Sequence, residues 1–187
     1  LKTQYSFQPF KGKYWKHTDP EFAMQRLVYP VPDLNLPFLG VHTAHNQAGD
    51  VYFGPSSTPV IGRENYQGLQ GVTLRDAVSL SASLIWKFLK NTNGLRTLSM
   101  REMKLMRLDG VCDELSKIVT GVEPKNLERS LAKVGIRSQI FDAKTQHLVN
   151  DFVVVPDERI IHILNAISPA FTASFAFAEY ILDTYQQ

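Results

Sequence analysis

The spacing of apolar residues changes twice along this chain, and those two changes decide its fold class. Leu74, Ala77, Val78, Ser81, Leu84, Ile85 and Phe88 recur every three or four residues, the stripe of an amphipathic helix. Thr73 is placed to cap its start and residues 91–94 to end it. A second helix is expected from Ser99, with Glu102 completing a capping box. Met103, Met106, Val111, Leu115 and Ile118 would line its buried face. Gly110 would weaken its middle by about 1 kcal/mol relative to Ala. Residues 123–130 predict one further short helical turn.

On both sides of this helical block the pattern is extended. Residues 10–15 predict a short strand and turn. Residues 26–32 (Arg-Leu-Val-Tyr-Pro-Val-Pro) predict an edge strand or strand end, because proline cannot donate to a ladder. A turn is expected at 33–37 and strands at 38–44 and 50–53. Asn46-Gln47-Ala48-Gly49 supplies hairpin chemistry between the last two. Residues 54–71 are rich in turn formers and predict a loop. Strands return at 134–142, 152–155 and 160–164. Ser168 and Pro169 then open a final helix over 170–184. That helix is apolar nearly all round, which predicts burial. The expected class is therefore α+β: a mixed or antiparallel sheet with a helical excursion, then further strands and a buried closing helix.

Charge narrows the function. Twenty basic and eighteen acidic residues leave a net charge of +2, scattered along 187 residues. No basic run marks a nucleic-acid or anionic-membrane patch, so no nucleic-acid partner is expected. The single cysteine, Cys112, has no internal disulfide partner, and no Cys/His spacing suggests a metal. It fits a reducing compartment, which predicts a cytoplasmic location. No apolar run approaches the ~18–20 residues of a spanning helix. The chain starts at Leu1 and reads as an excised piece or a processed product.

Three stretches together carry a family resemblance. The first is Arg26-Leu27-Val28-Tyr29-Pro30-Val31-Pro32-Asp33 followed by Leu36-Pro37-Phe38-Leu39-Gly40-Val41-His42. The second is Gly135-Ile136-Arg137-Ser138-Gln139 with Asn150-Asp151-Phe152. The third is His162-Ile163-Leu164-Asn165-Ala166-Ile167-Ser168-Pro169-Ala170. In this order they resemble the L-2-hydroxyglutarate oxidase/dehydrogenase family of D-amino-acid-oxidase-like FAD enzymes. The resemblance runs from about Phe10 to the end. The sequence departs from the family pattern at Lys11, at Ile167 and after His42.

The resemblance implies a substrate-binding domain over residues 1–130 and the C-terminal portion of an FAD-binding domain over 131–187. It implies a flavoprotein oxidoreductase, oxidising a 2-hydroxy acid such as L-2-hydroxyglutarate by hydride transfer to FAD. The Gly-x-Gly-x-x-Gly unit that grips the ADP part of FAD is missing here. A fragment lacking that N-terminal segment is expected to be inactive alone and to need it as a partner. In the parent, electrons would pass to oxygen or, through a peripheral membrane link, to a quinone. An apolar face left bare would favour a homo-oligomer. Two rivals stay open: an amino-acid or amine oxidase on the same scaffold, and a non-catalytic binding module.

The chemistry then points to particular residues. Pinning a 2-hydroxy acid needs a planar, bidentate cation, and Gly135-Ile136-Arg137 matches a Gly-x-Arg of the wider group. Against this stands an ordinary surface arginine. Removing the hydroxyl proton needs a base with pKa near the working pH, which suits His42; a satisfied structural histidine is the alternative. Tyr29 and His45 are further candidates for the substrate. Lys11 and Lys13 lie on a strand that approaches the active site in the family. His17, His147 and His162 read as structural. Asn165, Ala166, Ser168, Ala170 and Thr172 enter the final helix, where free backbone N–H groups and small side chains would suit the edge of a flavin ring. The alternative there is a tightly packed helix start. No metal ligands are expected.

Overall fold

Three segments pair side by side early in the chain because their side chains alternate between a helix-covered face and an open one. The computed structural model describes residues 4–31, 40–167 and 170–185. These form two compact units, one of residues 8–137 and the other of residues 1–7 with 138–187. The expected α+β class is what the chain adopts, with helices and antiparallel strands in both units.

The unit of residues 8–137 holds most of β1 (Tyr5–His17), then β2 (His42–His45), β3 (Val51–Pro59), α1 (Leu74–Leu89), α2 (Leu95–Leu105), α3 (Leu108–Leu115) and the first part of β4 (Leu127–Asp142). Strand neighbours run β2-β3-β1-β4. The β2–β3 hairpin closes where expected: Asn46 N–H donates to Asp50 O, Gly49 N–H to Asn46 O, and Gly49 takes φ +89°. Residues 26–31 carry no strand. Val28 is nevertheless tied to β2, its N–H donating to Thr43 Oγ1 and its O accepting from Thr43 N.

The loop expected over 54–71 is corrected in its first third, because β3 continues to Pro59. Lys13 pairs with Ser56 but Trp15 with Phe53, so Gly54 and Pro55 together oppose Tyr14. This bulge absorbs the turn-forming pair. A Cβ on Gly54, at φ +148°, would lie 2.8 Å from Lys13 O. Pairing with strands on both sides outweighs local turn preference here.

One face of this sheet is covered. Trp15, Val51 and Phe53 pack with Leu105, Val111, Leu115 and Leu127, and Phe53 and Leu115 are fully buried. Successive strand residues point to opposite faces, so Tyr52 and Tyr14 turn away from that core.

The helices differ from expectation in detail. Thr73 caps α1, its side chain accepting from Asp76 N. The buried positions of α1 are Leu80 and Lys87, while Leu74, Val78 and Ile85 of the expected inner stripe are exposed. Ser99 does not start a helix: α2 begins at Leu95, and Glu102 instead accepts a hydrogen bond from Ser57 N on β3. The single helix expected beyond Ser99 breaks at 106–107 into α2 and α3. Met103 and Met106 are exposed, whereas Val111 and Leu115 are buried as expected. A Cβ on Gly110 would sit 2.1 Å from Lys104 O, so this glycine permits a close approach that outweighs its helix cost. The helical turn expected at 123–130 is confined to a 3-10 turn, Pro124–Asn126.

In the other unit, β5 (His147–Val149), which the sequence did not suggest, pairs antiparallel with the end of β4, Ile140 opposite Val149. β6 (Val153–Asp157) and β7 (Ile160–Asn165) form a two-stranded antiparallel sheet. α4 (Ser174–Tyr185) starts later than the expected 170. Its expected burial is met only at Ile181; Phe175 is 87% exposed. Phe152 stacks on Phe177 at 4.1 Å. This small unit supplies too little surface to cover a helix apolar on every side.

Candidate functional site

On the face of the sheet away from that core, residues from five segments converge. His42 opens β2, opposite Gly54 of β3, and is buried. Its Nδ1 is 3.0 Å from Gly40 O. A carbonyl only accepts, so Nδ1 carries the hydrogen, and in the neutral ring Nε2 keeps its lone pair. Burial lowers the His42 pKa; the Gly40 bond opposes this, and the positive charges of Arg137 and Lys133 reinforce it. Below its ordinary value of about 6.5, His42 is a neutral base at physiological pH. Tyr29, half exposed, lies flat against the imidazole.

Arg137, on β4, is exposed and hydrogen-bonds the side chain of Tyr14, from β1. Burial raises the Tyr14 pKa, and the Arg137 charge partly offsets that. The Lys133 ammonium stands 4.9 Å from the centre of the Tyr14 ring and 4.5 Å from that of Tyr52. Burial lowers its pKa.

His42, Tyr29 and Arg137, which the sequence singles out, are thus brought into one cluster. Tyr14 and Lys133 were missed. Strand parity could have found them: Lys133 precedes Arg137 by four residues, an even step that keeps the same face. His45 lies three residues beyond His42, an odd step, and is exposed at the end of β2 opposite Val51. It does not join the cluster.

Lys11 is buried, with Nζ 3.4 Å from Asn65 Oδ1. The Asn65 amide donates to Gly68 O and Gln70 O, so Lys11 braces that loop. Burial lowers its pKa, with Lys13 adding to the effect. The Lys13 pKa is lowered by burial and by Arg129. His17 is buried and stacks on Phe22.

In the other unit, Asn165 is buried at the end of β7 and its amide donates to Asp151 O at 2.7 Å. Ala166 and Thr172 are exposed, and Ala170 N–H donates to Ile167 O. Ser168 lies outside the described residues. Among the described residues no group of His, Cys, Asp or Glu could hold a metal ion, and no helix is long and apolar enough to cross a membrane.

No family model matches the chain. Curated proteins do. The L-2-hydroxyglutarate dehydrogenase of Indibacter alkaliphilus is 34% identical over 171 residues, covering 90% of this chain and 41% of that protein. Over nine tenths of its own length the chain is similar to an L-2-hydroxyglutarate dehydrogenase. The mitochondrial L-2-hydroxyglutarate dehydrogenases of Homo sapiens and Nematostella vectensis are each 32% identical, over 96% and 94% of this chain. The chain spans about two fifths of the length of these dehydrogenases.

Proposed function

We propose that this chain carries the substrate-binding end of an FAD-dependent oxidoreductase that oxidises a 2-hydroxy acid, L-2-hydroxyglutarate, to 2-oxoglutarate. The observation that carries the reading is the convergence of a neutral, Nδ1-anchored His42 with the Arg137 guanidinium on one sheet face. Arg137 pins the carboxylate next to the reacting carbon through paired N–H donors. His42 Nε2 takes the proton of the 2-hydroxyl as the carbonyl forms. Tyr29 covers the imidazole and limits its access to water. The unit of residues 8–137 is the substrate-binding part and the other unit the C-terminal portion of a flavin-binding domain.

FAD is implied by the resemblance, and the residues present fit its ring end. Ala166 and Thr172 are exposed residues with short side chains of their own; Ala170 is small, with its N–H already turned to Ile167. The Asn165 amide is engaged within the chain. The ADP grip is not among these 187 residues. When bound, the flavin supplies acceptance of the hydride from the 2-carbon.

His42→Ala and Arg137→Ala in the flavin-loaded protein test the assignment. Each is expected to lower kcat/KM for L-2-hydroxyglutarate by about 100-fold or more. Unchanged turnover in both variants sinks it. Faster turnover of glutamate or sarcosine than of L-2-hydroxyglutarate would favour an amine oxidase.

A further inference from the structure

Lys133 stands four residues before Arg137 on β4, and one tyrosine touches both. Tyr14 has the Lys133 ammonium over its ring and the Arg137 guanidinium in a side-chain hydrogen bond. Tyr52 flanks Lys133 as a second ring. Aromatic faces fix a cation in place without cancelling its charge. Lys16, Lys104, Lys117 and Lys125, by contrast, each have a carboxylate within 2.9 Å or less. Among the described residues neither Lys133 nor Arg137 has one. Burial lowers the Lys133 pKa with no carboxylate opposing it.

Two oriented cations on one face therefore lack a carboxylate at ion-pair distance; the Glu102 carboxyl feels the Arg137 charge but accepts its hydrogen bond from Ser57 N. A monocarboxylate held by Arg137 would leave Lys133 unneutralised; a ligand with a second carboxylate at its far end would satisfy both. We propose that Lys133 is a specificity-determining residue that binds the distal carboxylate, so that the site selects a 2-hydroxy dicarboxylate over a 2-hydroxy monocarboxylate. This rests on Arg137 holding the proximal carboxylate, as argued under Proposed function.

The test compares two five-carbon acids by titration calorimetry: L-2-hydroxyglutarate and L-2-hydroxypentanoate, which lacks the distal carboxylate. Wild type is expected to bind the first about 10- to 100-fold more tightly, the range of one charge-assisted hydrogen bond. Lys133→Met keeps the aliphatic stem between the rings and is expected to erase that preference by weakening the dicarboxylate alone. Lys133→Arg is expected to restore it, which separates lost charge from lost folding. Equal binding of the two acids by wild type, or a preference that survives Lys133→Met, overturns the role of Lys133 and leaves the Arg137 reading standing. Binding of neither acid by wild type overturns both.

Discussion

Tyr29 lies on His42 with ring centroids 4.4 Å apart and planes 22° from parallel. The imidazole is buried partly under this ring, and burial is the largest cause of its lowered pKa. Tyr29→Ala opens that side to water, so the His42 pKa should rise towards 6.5, while Tyr29→Phe should leave it in place. The neutral form would then be lost at a higher pH, and the acid limb of any His42-dependent rate would move up with it. NMR titration of the His42 Cε1 proton in the two variants checks this; identical titrations in wild type and Tyr29→Ala would show that the ring contributes nothing.

Glu102 is buried, and burial raises its carboxyl pKa, with the Ser57 N–H and the charges of Arg101 and Arg137 opposing the rise. A group whose folded pKa is raised holds protons more tightly when folded. Its contribution to stability is present below the unfolded value and is lost as pH rises through the folded one. Glu102→Gln keeps an acceptor for Ser57 N and removes the titration. The variant should gain stability relative to wild type between pH 4 and pH 7. Urea unfolding at both values measures that difference, and parallel curves would refute it.

Legibility in the sequence followed how local each determinant is. The hairpin at residues 46–49 and the Thr73 cap depend on neighbours within five residues, and both form where their side chains predict. The passage of β3 through Gly54 and Pro55 depends on pairing with β1, so turn-forming residues concealed it. Ser99 with Glu102 has the spacing of a cap, but Glu102 serves a backbone donor 45 residues away. At the candidate site, Arg137, His42 and Tyr29 were singled out through the family resemblance, and the fold places them in one cluster. Tyr14 and Lys133 carry no motif, and only the β1–β4 adjacency brings them to the same face.

Gly110 allows the start of α3 to press on the end of α2. An added Cβ would fall 2.1 Å from Lys104 O, which is backbone and cannot swing aside. Gly110→Ala therefore loses more by displacing the helices than it gains in helix propensity. A net loss of about 1–3 kcal/mol is expected. Chemical denaturation should show a lower midpoint; an unchanged or higher midpoint would mean that the two helices are not held at this distance.

α1 tests which side of a helix faces the core. Its apolar stripe, read from spacing, includes Val78 and Ile85, yet these are 64% and 59% exposed while Leu80 is buried. Leu80 shares the inner face with Lys87, one heptad on. Removing a buried leucine costs transfer energy and leaves a cavity, so Leu80→Ala should lose about 2–5 kcal/mol. Val78→Lys and Ile85→Lys alter positions open to solvent and should stay within about 0.5 kcal/mol of wild type. Thermal unfolding of the three variants distinguishes the faces. Severe loss in Val78→Lys or Ile85→Lys with a silent Leu80→Ala would put the apolar stripe inside and reverse the orientation of the helix.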